Sequence, residues 1–330
     1  KYPGAVSMKS IGVVGLGVMG RRLINSVLQQ GGMTVAAAWD PSEAARRDLR
    51  KDHPDIALLD SAAEVADSPR IDCLYVAGPP ISHVPLAKLG LQAGKAVFCE
   101  KPLAVDLADS RSLVDLADRL GLANAVNFPF ASSPATRWVA HRIATQKLGR
   151  LERLDIELAF STWPRGWQSA AKGWLAGRKQ GGLAREVLSH FIFQTQRLLG
   201  SLTINSVEVD YPDDGESAET GLRATLTAGE VAVRVAATVG MTAQMDVNGW
   251  ILTGSQGAVR QHDWYSLDEG FNGAALQPVD FGSVPARDQT YLAQIDSLQA
   301  WLEERPHALP DFAEALAVQE IVEALLAQGA

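Results

Sequence analysis

The segment from Ile11 to Asp40 does most to restrict what this chain can become. An apolar run, Ile11-Gly12-Val13-Val14, passes into Gly15-Leu16-Gly17-Val18-Met19-Gly20, then into a helical pattern, a second apolar run and a single acid. A buried strand, a tight turn, a helix lying on that strand and a second strand form the opening βαβ unit of a dinucleotide-binding sheet. Gly15 allows the turn and Gly17 lets backbone N–H groups approach a pyrophosphate. Gly20 lets the helix pack close to the sheet, and the helix N-terminus favours the phosphate charge. Asp40 stands where a carboxylate can accept from the adenosine ribose hydroxyls. With 29 glycines in 330 residues the bare spacing would arise by chance about 0.2 times, so specificity comes from the context. Val35 to Trp39 reads as a second buried strand. Leu23, Ile24, Val27 and Leu28 are expected on one face of a helix that Gly31-Gly32 can end.

A chain of 330 residues is long for one core, and two domains are expected. Hydrophobic residues make up 47% and charged residues 21%, the balance of a soluble globular protein. A formal net charge of -8 gives no general attraction to nucleic acid or to an anionic membrane. No apolar run approaches the roughly twenty residues needed to span a bilayer, and no signal sequence opens the chain, so a cytoplasmic location is expected. Lys1 to Ser7 read as an added segment ahead of a natural start at Met8. Cys73 and Cys99, the only cysteines, both fall in expected strands as small buried hydrophobes, and the six histidines show no metal-ligand spacing, so no metal is expected.

Strand and helix patterns alternate as far as about residue 126. Ser42 can cap a helix running to about Asp52, Ile71 to Ala77 reads as a strand, and Pro85 to Ala93 as a helix. Ala96 to Glu100 is the next strand, and Asp106 caps a helix with Leu113, Leu116, Ala117 and Leu120 inward and Gly121 at its end. Residues 8–126 are therefore expected to form a parallel sheet with helices on both faces, a Rossmann domain. From 127 to 330 the pattern changes. Leu151 to Phe160, Ile204 to Tyr211, Leu222 to Leu226, Val231 to Val239, Trp250 to Thr253 and Ala258 to Trp264 read as strands. Most lack a helix between them long enough for a parallel crossover, so antiparallel pairing is expected. Tyr291 to Glu304 and Asp311 to Gln328 read as helices, the last with Ala315, Val318, Val322 and Leu325 on one stripe, and it is expected to pack back on the first domain. The fold class is thus α/β, a Rossmann domain followed by an α+β domain on an open, mostly antiparallel sheet. The free face of such a sheet calls for a partner.

Glu100-Lys101-Pro102 follows the strand Ala96 to Cys99 and so falls at the carboxyl edge of the sheet, where ligands bind in such folds. Pro102 removes a backbone donor and biases Lys101 toward extended geometry. Glu186 and His190 stand four apart after Gly181-Gly182, a spacing that puts carboxylate and imidazole on one helix face. Trp163, Trp167 and Trp174 crowd a stretch that also holds Arg165, Lys172, Arg178 and Lys179. Aromatic faces there could stack on a sugar ring and the cations could bind its polar groups, as a lid over a site; the alternative is a loop packed on the body of the domain.

In order and spacing, Gly15 to Gly20, Gly78-Pro79-Pro80-Ile81-Ser82-His83 and Glu100-Lys101-Pro102 resemble the Gfo/Idh/MocA oxidoreductases. The resemblance covers essentially the whole chain and is strongest from Ile11 to Asn127. It implies that the 78–83 loop lies along the nicotinamide half of the cofactor, that Lys101 contacts the reacting hydroxyl, and that His190 is the acid/base, assisted by Glu186. It also implies a homodimer or homotetramer built through the open sheet. The chain departs from the family pattern at Gly78 and Pro80, where a threonine and an asparagine are usual, at Glu186, usually an aspartate, and at Leu188, usually a glycine. The expected cofactor-side residues are Gly15, Leu16, Gly17, Val18, Met19, Gly20, Asp40, Pro79, His83, Glu100 and Lys101. The expected substrate-side residues are Lys101, Asn127, Trp167, Arg185 and His190. Asp40 favours NAD over NADP because its carboxylate repels a 2'-phosphate, while Arg46 and Arg47 leave NADP open. The activity implied is hydride transfer between nicotinamide and a sugar, polyol or cyclitol. The rival readings are a cofactor-sensing regulator that turns nothing over and a glycoside hydrolase that uses bound NAD transiently.

Overall fold

Gly15, Gly31 and Gly121 take left-handed backbone, φ 100°, 77° and 62°, and each ends a strand or helix where the sequence pattern requires a stop. The structure is a computed structural model that describes residues 8–240 and 246–328; the expectation about Lys1 to Ser7 lies outside these. The described residues divide into two compact units. One comprises the chain up to Pro129 with Tyr291–Leu316, the other Phe130–Thr290 with the chain from Ala317 on.

The first unit runs β1 (Ser10–Val14), α1 (Val18–Gln30), β2 (Thr34–Trp39), α2 (Glu43–Asp52), β3 (Ala57–Leu58), α3 (Ala62–Asp67), β4 (Cys73–Val76), α4 (His83–Gln92), β5 (Ala96–Glu100), α5 (Leu107–Leu120) and β6 (Asn124–Asn127). The six strands are ordered β3-β2-β1-β4-β5-β6, and every pair is parallel. Strand order reverses between β1 and β4, which opens a crevice at their carboxyl ends. The capping residues act as expected: Ser42 accepts from the Ala45 N–H and Asp106 from the Ala108 N–H. Leu23, Ile24 and Val27 of α1 are buried in a core with Ile11, Val13, Tyr75 and Phe98. Leu28 and Leu120 are not on the inner faces expected of them, at 43% and 46% exposed. Leu28 lies roughly 140° round the helix from Leu23 at 100° per residue, beyond the stripe that faces the sheet. Leu120 is the last helical residue, with a helical neighbour on only one side along the axis.

The second unit contains α6 (Pro134–Ala144), β7 (Leu151–Phe160), α7 (Lys172–Leu175), a π-helical turn at Ala184–Leu188, α8 (Ser189–Leu199), β8 (Leu202–Asp210), β9 (Gly221–Ala228), β10 (Val231–Val239), β11 (Val247–Gly254), β12 (Gly257–His262), β13 (Ser266–Phe271) and β14 (Gln277–Pro278). Its eight strands are ordered β14-β13-β12-β11-β7-β10-β9-β8. One neighbouring pair departs from the antiparallel expectation. β7 and β10 are parallel, because the long connection through α7, α8, β8 and β9 supplies the crossover. Burial alternates along β10, with Val231, Val233 and Val235 inward and Ala232, Arg234 and Ala236 exposed, so one face of the sheet is core. Trp250 is fully buried and donates to the Thr195 hydroxyl of α8, fixing that helix on the inner face.

The strand expected to run to Trp264 stops at His262. Asp263 and Trp264 take φ of 45° and 68° to turn the chain into β13, a strand the sequence pattern did not reveal. Two final helices, α9 (Ala286–Leu302) and α10 (Phe312–Gln328), close the chain. Ile295, Leu298 and Trp301 of α9 join the core of the first unit. Ala315, Val318, Val322 and Leu325 of α10 are all buried, as their spacing predicts. Among the described residues no helix is long and apolar enough to cross a membrane.

Candidate functional site

In the first unit the candidate residues lie where strands end. The Gly15 N–H donates to the Trp39 carbonyl, joining the turn after β1 to the end of β2. A side chain at Gly15 would strike the Ala77 carbonyl carbon at 2.5 Å, and one at Gly20 would strike the Gly15 oxygen at 1.9 Å, whereas nothing lies within 4 Å of the direction a Gly17 Cβ would take. Gly17 is the N-cap of α1, and no side chain caps the helix. A helix start with uncapped amides and open space before it fits a pyrophosphate, so the residues present fit a dinucleotide. Asp40 completes the fit. Its carboxylate accepts from the Leu16 and Ser42 N–H groups, each at 2.7 Å, which holds it beside the glycine turn with lone pairs left for ribose hydroxyls.

Pro79 follows β4, and Glu100 ends β5 with Lys101-Pro102 after it, at the same edge of the sheet. His83 and Glu100, expected on the cofactor side, are both buried and have protein partners. His83 is fully buried. Its Nδ1 lies 2.6 Å from the Pro102 oxygen and its Nε2 2.9 Å from the Gly78 oxygen, so the ring joins the two loops. Burial pushes its pKa below the ordinary 6.5 and outweighs the two carbonyl contacts. Neutral imidazole donates to only one of those carbonyls. The Glu100 carboxylate is buried and accepts from the Tyr75 hydroxyl and from Asn127 Nδ2. Asn127, expected on the substrate side, is itself buried and accepts from Gln294. The physical cause is common to these residues: a polar group at the end of a central strand must find partners inside the sheet.

In the second unit Glu186 sits in the π-helical turn and His190 in α8, so the two occupy elements of different pitch instead of one regular α-helix. Glu186 Oε1 accepts from Gln168 Nε2 at 2.9 Å and lies 3.5 Å from an Arg165 nitrogen. Arg165 is only 11% exposed. Its guanidinium stands 5.0 Å from the Trp167 ring and 5.3 Å from the Trp264 ring. Burial lowers its pKa, an effect opposed by the charges of Glu186 and Asp246. The His190 ring meets Trp264 edge to face at 6.1 Å. The aromatic-basic stretch thus delivers Arg165 and Gln168 to Glu186, and Trp167, beside the Arg165 guanidinium, keeps an exposed face. Of the two readings of that stretch, packing on the domain describes its base: Trp163 donates to the Leu175 oxygen, and the Arg178 and Ala218 N–H groups pair with the Glu216 and Ala176 oxygens.

Arg185, expected on the substrate side, is paired within its own unit. Its guanidinium is bidentate to Glu323 at 2.6 and 2.7 Å and also donates to the Arg178 and Gly181 oxygens. Three residues invisible as site residues in the sequence complete this region: Gln168, Trp264 and Glu219. Glu219 is buried and accepts from the Ala184 N–H at 2.6 Å; burial raises its pKa. The signal for Gln168 was its place three residues after Arg165, whereas nothing local marked Trp264 or Glu219. Among the described residues no group of three or more His, Cys, Asp or Glu could hold a metal ion.

Residues 9–128 match the model of the oxidoreductase family with an NAD-binding Rossmann fold. The chain is 37% identical over 109 residues to inositol 2-dehydrogenase of Agrobacterium fabrum, covering 32% of each protein. It is 26% identical over 214 residues to an uncharacterized oxidoreductase of Synechocystis sp., covering 62% of this chain and 57% of that one. The matched region thus spans between a third and little more than half of these relatives' own length. Among solved structures, an NADH complex of levoglucosan dehydrogenase superposes with TM-score 0.84 at 16% identity, over 97% of this chain and 96% of that one. An NAD binding oxidoreductase from Klebsiella pneumoniae does so with TM-score 0.82 at 18% identity, over 97% and 96%. At such identities the superpositions show a shared fold.

Proposed function

We propose that the chain, whose residues 9–128 match the family model, is a Gfo/Idh/MocA oxidoreductase and that it transfers hydride between NAD and a secondary alcohol, or the corresponding carbonyl, of a sugar, polyol or cyclitol. The observation that carries this reading is the uncapped, sterically open start of α1 at Gly17, at the same sheet edge as Lys101. Related proteins act on such compounds by name: inositol 2-dehydrogenase and, from Ensifer adhaerens, 1,5-anhydro-D-fructose reductase. Bound nicotinamide supplies the hydride acceptor or donor. The chain's own residues hold the substrate and manage its proton. In the oxidative direction Lys101 Nζ bonds the reacting oxygen and stabilises the charge that develops on it, and His190 takes the hydroxyl proton; reduction reverses these roles. The exposed Trp167 face offers a sugar a stacking surface.

Asp40, held by two N–H groups beside the glycine turn, favours NAD over NADP. Asp40→Ser should relax that preference; tighter binding of NADP than NAD by the unmodified protein would contradict it. The exposed face of the eight-stranded sheet, with Ala232, Arg234 and Ala236 outward, supports assembly of copies through it as a homodimer or homotetramer, and a monomer in light scattering would remove this assignment. The activity itself is tested by NAD reduction, followed in the near ultraviolet, against aldoses, inositols, polyols and sugar acids. A signal lost in Lys101→Ala supports the dehydrogenase. Silence across the panel with NADH still bound tightly points to a sensor, and glycoside cleavage without net reduction points to a hydrolase.

A further inference from the structure

Lys101 stands between two residues that the fold anchors from opposite sides. On the N-terminal side, the buried Glu100 carboxylate receives a donor from the strand on each flank. Tyr75 of β4 donates through its hydroxyl, its ring stacked on Phe98 at 5.3 Å. Asn127 of β6, the register partner of Glu100, donates through Nδ2 at 2.5 Å. The Asn127 amide turns its nitrogen toward Glu100 and its oxygen away. Gln294 of α9, also buried, donates to that oxygen and locks the orientation. On the C-terminal side the Pro102 carbonyl is held by His83, whose other nitrogen meets Gly78.

We propose that Tyr75 and Gln294 are positioning residues for Lys101: through Glu100 they fix the main chain from which the lysine projects, as His83 does through Pro102. The inference rests on the reading of Lys101 as the residue that bonds the reacting hydroxyl. It also accounts for the burial of Glu100 and Asn127 at a sheet edge where ligand contacts were expected. A polar chain linking β4, β5, β6 and α9 would be costly as a feature of stability alone, because an apolar set of the same shape serves packing as well. Its product here is a single direction for the residue after Glu100.

The test uses the full chain with NADH bound, in Tyr75→Phe and Gln294→Leu. Neither change removes a group that touches cofactor or substrate in the proposed site. A displaced lysine should lower kcat about tenfold in each variant, with the NADH Kd kept within about twofold. The rate at which an amine-acylating reagent labels Lys101, read by mass spectrometry relative to Lys51, should change by about threefold or more. Tyr75→Phe added to Glu100→Gln should cost little further, since both act through one carboxylate. Unchanged kcat and unchanged Lys101 labelling in both variants would overturn the inference. So would a loss of kcat that follows only a fall in Tm and in NADH binding. If the unmodified protein turned over no substrate, the reading of its activity would fail, and the labelling rates would still decide whether Tyr75 and Gln294 place the lysine.

Discussion

The two units bring their candidate residues together by different routes. In the first, Gly15, Asp40, Gly78 and Lys101 each come within two residues of the end of a parallel strand, so each βα turn opens on the same edge of one sheet. In the second, Glu186 meets Arg165 and Gln168 from before α7, the turn that carries it is held by Glu219 from before β9, and His190 meets Trp264 at the tip of the β12–β13 hairpin. A parallel sheet turns chain order into spatial order, because every strand points the same way. A mostly antiparallel sheet sends alternate loops to opposite ends, so a cluster in it is gathered from distant parts of the chain.

The sharpest way to break the comparison is Lys101→Ala. It should lower kcat by about 10²–10³-fold with NADH binding nearly kept, as expected when one donor to a developing oxyanion is lost. A fully active variant in steady-state assays would remove the catalytic role from the first unit. Glycine replacements sharpen the contrast within the nucleotide turn. Gly17→Ala meets nothing and should keep its Tm while weakening NADH binding by titration; Gly20→Ala, whose Cβ would fall 1.9 Å from the Gly15 oxygen, should lose stability and binding together. Equal behaviour of the two variants would show that the open direction at Gly17 has no ligand in it.

In the second unit the comparable test is structural. Arg185→Ala leaves the Glu323 carboxylate, 19% exposed, without its bidentate partner, and should cost about 3 kcal/mol in chemical denaturation. A loss confined to substrate KM would instead restore Arg185 as a ligand.

The smallest effects are those of pH, and they have opposite senses in the two units. His83 has a folded pKa below its ordinary 6.5, so the unfolded chain binds more protons just below that value, and stability falls as pH drops through it. Glu219 has a folded pKa above its ordinary 4.5, so the folded state binds more protons above that value, and its contribution to stability is lost as pH rises from there. His83→Asn should flatten the acid-side loss in thermal melts, and Glu219→Gln should flatten the opposite slope. Slopes unchanged by both substitutions would detach these groups from the stability of their units.

The glycine turn, the caps at Ser42 and Asp106 and the span of β7 were all legible before any coordinates, because each depends on residues close in sequence: a left-handed turn needs glycine, a helix start needs an acceptor side chain, and an inward face needs period two. The roles expected of His83, Glu100, Asn127 and Arg185 were legible only as residue types at a sheet edge or beside a turn. The partners that occupy them, Pro102 and Gly78, Tyr75, Gln294 and Glu323, include residues more than a hundred positions away. The sequence by itself determined the Rossmann order of the first unit, the alternation of the second and the location of the nucleotide turn. Only the tertiary structure decided which polar side chains pair with one another, because burial forces each to find a partner and the nearest partner in space is set by the packing of strands and helices far apart in the chain.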